Sequence, residues 1–360
     1  MMHEPWQARP KHSGSAFMFF LMLFSFAFVF LILPLAVNAL TANGISLDIV
    51  FSPWFTVFTQ LTGLLLPLAI WLAFKRDNLN HHLPNMKLGK SNLIYIFFIS
   101  ILLQPTMMLI SGISTLFTPN VVADALGRSM SHPLWVVLLA FAVTPAICEE
   151  LVFRGYIQSQ YKHYSFKKAA IMNGLLFGII HMNPHQFVYT FIMGVIFAYM
   201  VHYTRSIRAA ILSHFILNAS QVTFLHFIIN MQEYANGIDP YAIAEDIIIP
   251  MGDGEVTITP EMAIIFTLVF VGILTLFTLP AVIILFRTFI SHNRGRNMKY
   301  DMKQMLNTDS THVEEVETDE PAPYDLTNDS KSEIHSLIVD PFFIGVVVLF
   351  FGFIFLTSNM

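Results

Sequence analysis

Apolar residues along this chain gather in runs of about twenty, separated by polar or Pro/Gly-containing breaks, and show neither strand-like alternation nor a heptad repeat. A helix of that length crosses roughly 30 Å of bilayer hydrocarbon. Nine runs stand out, at approximately 17–40, 52–74, 91–117, 133–154, 168–182, 186–203, 207–230, 261–287 and 338–357. They predict an all-α polytopic membrane protein of about nine transmembrane helices. The first run follows Arg9 and Lys11 but exceeds the apolar region of a signal peptide, so it reads as a retained anchor.

Composition agrees. Over 360 residues the chain is 55% hydrophobic and 12% charged, more apolar than one soluble core requires. A net charge of -5 and the lone Cys148 set aside a nucleic-acid binder, a disulfide framework and a Cys-rich metal site. Of the 19 Lys and Arg residues, all but Arg128 and Arg154 fall on one side of a nine-span arrangement, which predicts a cell-membrane protein with a cytoplasmic N-terminus and an extracytoplasmic C-terminus. Residues 231–260, on the other face, hold Glu233, Asp239, Glu245, Asp246, Asp253 and Glu255 without a Lys or Arg, and are expected to form an acidic extracytoplasmic loop. The polar segment 291–337, with Pro321 and Pro323, lacks the apolar surface to fold alone and is expected to be a cytoplasmic linker. Its acidic stretch within 309–335 reads as solubilising. The expected organisation is therefore 1–132 as N-terminal helices and loops, 133–230 as a helical core, 231–260 as the acidic loop, 261–290 as a span, 291–337 as the linker and 338–360 as a last span. No internal repeat points to a transporter built from duplicated halves.

Ionisable side chains inside a spanning helix cost about 2.5–3.5 kcal/mol each and default to functional hypotheses. Glu149 and Glu150 are the two acidic residues well inside a run, in Cys148-Glu149-Glu150-Leu151-Val152-Phe153-Arg154. Glu150 and Arg154 are four apart, so they share a helix face in the order that favours pairing. Glu149 points about 100° away and remains available for chemistry. The plain alternative is a structural ion pair. Two further pairs shift the balance: Phe177 with His181 in the fifth run, and His214 with Asn218 in the seventh, each one turn apart. One histidine on an apolar face usually serves packing, but two in separate helices beside an unpaired glutamate point to a site. Counting from the turns, Glu150 and His181 stand at a common depth of roughly 20–25 Å, whereas His214 lies only about 13 Å from its turn. A carboxylate with a histidine can activate water, while a histidine and an Asn amide can steady an oxyanion. Equally, Glu149, His181 and His214 form a donor set suited to catalytic zinc. The sequence leaves both open.

The order Glu-Glu-x-x-x-Arg, Phe-x-x-x-His and His-x-x-x-Asn, each in its own apolar helix, resembles the CAAX protease and bacteriocin-processing family of intramembrane endopeptidases over roughly residues 133–225. The resemblance implies a catalytic core of four consecutive helices and hydrolysis of a peptide bond in a membrane-associated or lipid-modified protein. It implies that Glu149 with His181 activates the water, that His214 and Asn218 stabilise the oxyanion, and that Glu150, Arg154 and Phe177 support the site. A metal-free mechanism without cofactor is preferred, with zinc on Glu149, His181 and His214 as the alternative. An ion-coupled transporter using the same residues and a non-catalytic membrane scaffold are the competing classes; concentration of the acidic residues at one level favours the enzyme. Other features have plain readings. His185 is expected to be solvated near the site mouth, His226 to face elsewhere, Cys148 to fill space, and Asn218-Ala219-Ser220 to match a glycosylation pattern by accident.

Overall fold

The computed structural model of the protein describes residues 13–28, 32–43, 52–118, 120, 126–162, 164–236, 247–251, 254–309 and 340–358. Arg9 and Lys11, the acidic stretch Glu314 to Glu320, and Asp239, Glu245, Asp246 and Asp253 of the acidic loop lie outside the described residues. The helices are α1 Ser13–Ala27, α2 Leu33–Ala42, α3 Pro53–Lys75, α4 Lys90–Thr115, α5 Leu134–Gln160, α6 Phe166–Ile180, α7 Pro184–Thr204, α8 Ile207–Asn236, α9 Pro260–Asp309 and α10 Pro341–Ser358. Six of them are long and apolar enough to cross a membrane, and α1 and α10 are shorter apolar helices. The expected multi-span helical architecture is present. In the first run the described residues form α1 and α2, and residues 29–31 between them lie outside the described residues. Within 231–260, α8 runs on to Asn236 and an antiparallel hairpin forms, β1 Ile247–Met251 against β2 Gly254–Ile258. Its strands are rich in β-branched residues, with Gly252-Asp253 between them in sequence.

Two spanning helices carry wide π-type turns at the same distance from a proline. In α3 the turn Leu61–Leu65 precedes Pro67, and in α5 the turn Leu139–Val143 precedes Pro145. Proline removes one backbone donor and its ring crowds the carbonyl four residues earlier, so the preceding turn widens. A third wide turn, Leu151–Ile157, follows Glu150 directly. The two wide turns of α5 sit on either side of the two glutamates.

Helices α6 and α7 meet through glycines. A Cβ on Gly194 would lie 2.7 Å from Gly174 Cα, and one on Gly174 would lie 2.8 Å from Phe191 O. Only glycine permits that backbone approach. Gly194→Ala is therefore expected to push α6 from α7 and to lower stability by about 1–3 kcal/mol. Thermal unfolding in detergent checks this; a wild-type midpoint would refute it.

The polar segment after residue 290 behaves differently from expectation. Helix α9 does not stop there but continues to Asp309, 50 residues in all, or roughly 75 Å at 1.5 Å per residue. It persists because it finishes another helix. Arg205, with φ 52°, ends α7 in the left-handed region and leaves the last carbonyls of that helix without partners. Arg296 Nη2 donates to Thr204 O at 2.7 Å and Asn297 Nδ2 to Tyr203 O at 3.1 Å, while Arg205 grips Asp301 with two bonds of 2.8 and 3.0 Å. Further along, the fully buried Asn92 and Asn293 exchange amide hydrogen bonds of 3.0 and 2.9 Å and fix the register of α4 against α9.

The turn between α7 and α8 is also set inward. Thr204 and Ser206 are fully buried, and the segment before α4 covers them, with Met86 N donating to Arg205 O and Ile207 N to Pro84 O. The start of α8 is thereby buried.

Candidate active site

The site is built on α5. Its glutamates are both buried, Glu149 at 7% and Glu150 at 0% exposure. Arg154 Nη1 donates to Glu150 Oε1 at 3.0 Å, and both side chains are fully shielded. The second guanidinium nitrogen donates to Gly194 O at 3.1 Å, a mid-helix carbonyl exposed by the missing side chain. Phe177, Phe197 and Phe153 surround the cation at 4.3, 5.2 and 5.9 Å from their ring centroids. Aromatic faces and a paired carboxylate together compensate a charge that hydrocarbon alone would not hold.

Helix α8 delivers His214 to the same pair. Its Nδ1 lies 2.8 Å from Glu150 Oε1, its Nε2 lies 4.0 Å from Glu149 Oε2, and its ring stacks on Phe197 with centroids 5.3 Å apart. One imidazole thus bridges two adjacent carboxylates. One turn later Asn218 Nδ2 donates to Phe141 O at 3.1 Å, inside the wide turn Leu139–Val143. Asn173 of α6 does the same in the other wide turn, donating to Phe153 O at 2.7 Å.

Helix α6 supplies the remaining group. At 15 residues it rises roughly 22 Å, shorter than the hydrocarbon thickness, and His181 is its C-cap. His181 Nδ1 lies 2.7 Å from Phe177 O. A carbonyl oxygen only accepts, so Nδ1 carries a proton, and in the neutral ring Nε2 presents a lone pair. Phe177 sets its ring edge against both imidazoles, 5.1 Å from His181 and 6.1 Å from His214.

Six of the seven residues singled out in the sequence are therefore linked by contacts across α5, α6 and α8, while Asn218, one turn beyond His214, touches Phe141 O instead. The closer imidazole to Glu149 is that of His214; no hydrogen bond or ion pair joins His181 to either glutamate among the described residues. One expectation is corrected: His185 is not solvated but 1% exposed, with Nε2 3.0 Å from Thr115 Oγ1, because Asn183 caps α7 and turns its first residues inward. His226 faces His132 O at 3.4 Å, away from the site. Cys148 is a buried free thiol packed in the apolar core.

Sequence reasoning missed Gln60. Its Nε2 donates to Glu149 Oε1 at 3.0 Å from α3, one residue before the wide turn Leu61–Leu65. A lone amide in an otherwise apolar span was the available signal.

The fold and this cluster define a polytopic helical membrane protein holding carboxylates, imidazoles and a guanidinium at one buried point. Residues 131–220 match the family model described as Type II CAAX prenyl endopeptidase Rce1-like. The match is to the kind of protein the three motifs resemble, and it spans 90 of the 360 residues, from the start of α5 into α8. Comparison with curated proteins gives no match, and comparison with solved structures gives none. The family is one of membrane proteases, and the apolar helices make the chain a multi-pass membrane protein.

Proposed function

We propose that the protein is an intramembrane endopeptidase that hydrolyses a peptide bond in a membrane-associated or lipid-modified protein. The observation carrying this reading is the 4.0 Å gap between Glu149 Oε2 and His214 Nε2. It is too long for a direct hydrogen bond and short enough for one water, set to the side of the line between them, to bond to both. Water donates one proton towards Glu149 and is steered by the lone pair of His181 Nε2. As it attacks the amide carbon, Glu149 takes that proton and later returns it to the departing amine. The oxyanion is met by His214 Nε2 and by the second N–H of the Asn218 amide. Orientation, with the N-terminus cytoplasmic and the C-terminus outside, is proposed on the distribution of Lys and Arg alone.

Zinc on Glu149, His181 and His214 is the other chemistry this donor set allows. Donors sharing a tetrahedral zinc stand about 3.3 Å apart, and among the described residues no three His, Cys, Asp or Glu side chains are placed to share an ion. That placement favours the metal-free reading. The test compares membrane peptides from cells expressing wild type or Glu149→Ala, which identifies cut sites, and then adds 1,10-phenanthroline to the purified enzyme. Cleavage is expected to depend on Glu149 and to survive the chelator. Chelator inhibition reversed by zinc would overturn the metal-free step, and identical peptide sets would overturn the protease.

A further inference from the structure

We propose that Gln60 positions Glu149 and takes a backbone N–H of the substrate on its own amide oxygen, a role that rests on the reading of Glu149 as the base. The side-chain amide has one possible orientation. Only its N–H can face a carboxylate oxygen, so the 3.0 Å bond to Glu149 Oε1 turns Gln60 Oε1 the other way. That oxygen is buried and has no hydrogen-bond partner among the described residues.

A buried amide acceptor without a donor is costly, and one beside a reactive group calls for an explanation. The reaction supplies the missing donor. An extended peptide entering hydrocarbon brings backbone N–H groups that water can no longer satisfy. Pairing one of them with Gln60 Oε1 satisfies both groups at once, and it registers the peptide against Glu149 through a single side chain. The wide turn that begins at Leu61 fixes where Gln60 points, since proline at 67 forces the helix to widen there rather than elsewhere. Glu149 in turn has Oε1 occupied by the amide and Oε2 directed at the gap before His214. Gln60 thus assigns the two carboxylate oxygens different tasks.

The experiment uses the full chain in liposomes and a transmembrane peptide that the wild type cleaves, N-methylated at one backbone position at a time within a few residues of the cut. N-methylation deletes one N–H donor per peptide. One position is expected to slow the wild type about tenfold, the worth of one hydrogen bond to a buried group. Gln60→Met is expected to cleave the unmodified peptide about tenfold more slowly and to be indifferent to methylation at that position. A residue needed only for packing would slow every peptide alike. Coincident methylation profiles in the two proteins, or a wild-type rate for Gln60→Met, would overturn the proposal. If Gln60→Met does not fold, Gln60→Asn keeps the polarity, withdraws the amide by one methylene and gives the same readout. Failure of the underlying reading looks different: Glu149→Gln would still cleave, or the wild type would cleave nothing.

Discussion

Glu149→Gln is expected to lower cleavage of a membrane peptide by about 10²–10⁴-fold, the range for losing a general base, while leaving the unfolding midpoint of the protein unchanged. The substitution is nearly isosteric. The new carbonyl still accepts from Gln60, and the Glu150–Arg154 pair with its His214 contact is untouched. What disappears is the oxygen that takes a proton from water. Initial rates on a peptide in liposomes, measured beside thermal unfolding in detergent, separate chemistry from folding. Full cleavage by this variant would remove Glu149 from the reaction and with it the proposed mechanism.

Arg154→Ala is expected to act through stability instead. Both partners of the pair are fully shielded, and His214 also leans on Glu150. Removing the guanidinium leaves a buried carboxylate without its main partner, at a cost of about 3–5 kcal/mol. That is a large share of the net stability of a typical folded domain, which is about 5–15 kcal/mol. Arg154→Lys is expected to fall between. It keeps the charge but loses the planar fork that reaches Gly194 O and the face that rests on Phe177. Replacing both Glu150 and Arg154 with leucine is expected to recover much of the stability lost by the single change, since no orphaned charge remains. Unfolding midpoints of the three variants in one detergent decide the order. If Arg154→Ala is as stable as wild type, the pair is not the brace described.

The two adjacent glutamates thus predict opposite signatures, one in rate and one in stability, and their separation came only partly from sequence. The Glu150–Arg154 pairing was legible because four residues along a helix is a local relation. That Glu149 stays free of the arginine followed from the same geometry. Its actual partner did not, because Gln60 lies 89 positions away and reaches it by packing of α3 on α5. Nor did the count along α8 show His214 meeting Glu150, since the α7–α8 turn is buried and held by residues 84–86.

What the sequence determined by itself was the multi-span helical class of the protein and the few residues too polar to lie in apolar helices without a purpose. Hydropathy is a sum over neighbours in the chain, and the penalty for a charge in hydrocarbon needs no partner to be recognised. Tertiary structure alone decided which of those residues face one another. It set the wide turns that aim Gln60 and receive Asn218, the glycine contact that opens Gly194 O to Arg154, and the helical course of residues 291–309 as a cap for α7. Each depends on the rotation and height of one helix against another, and those are fixed by contacts between residues far apart in the chain.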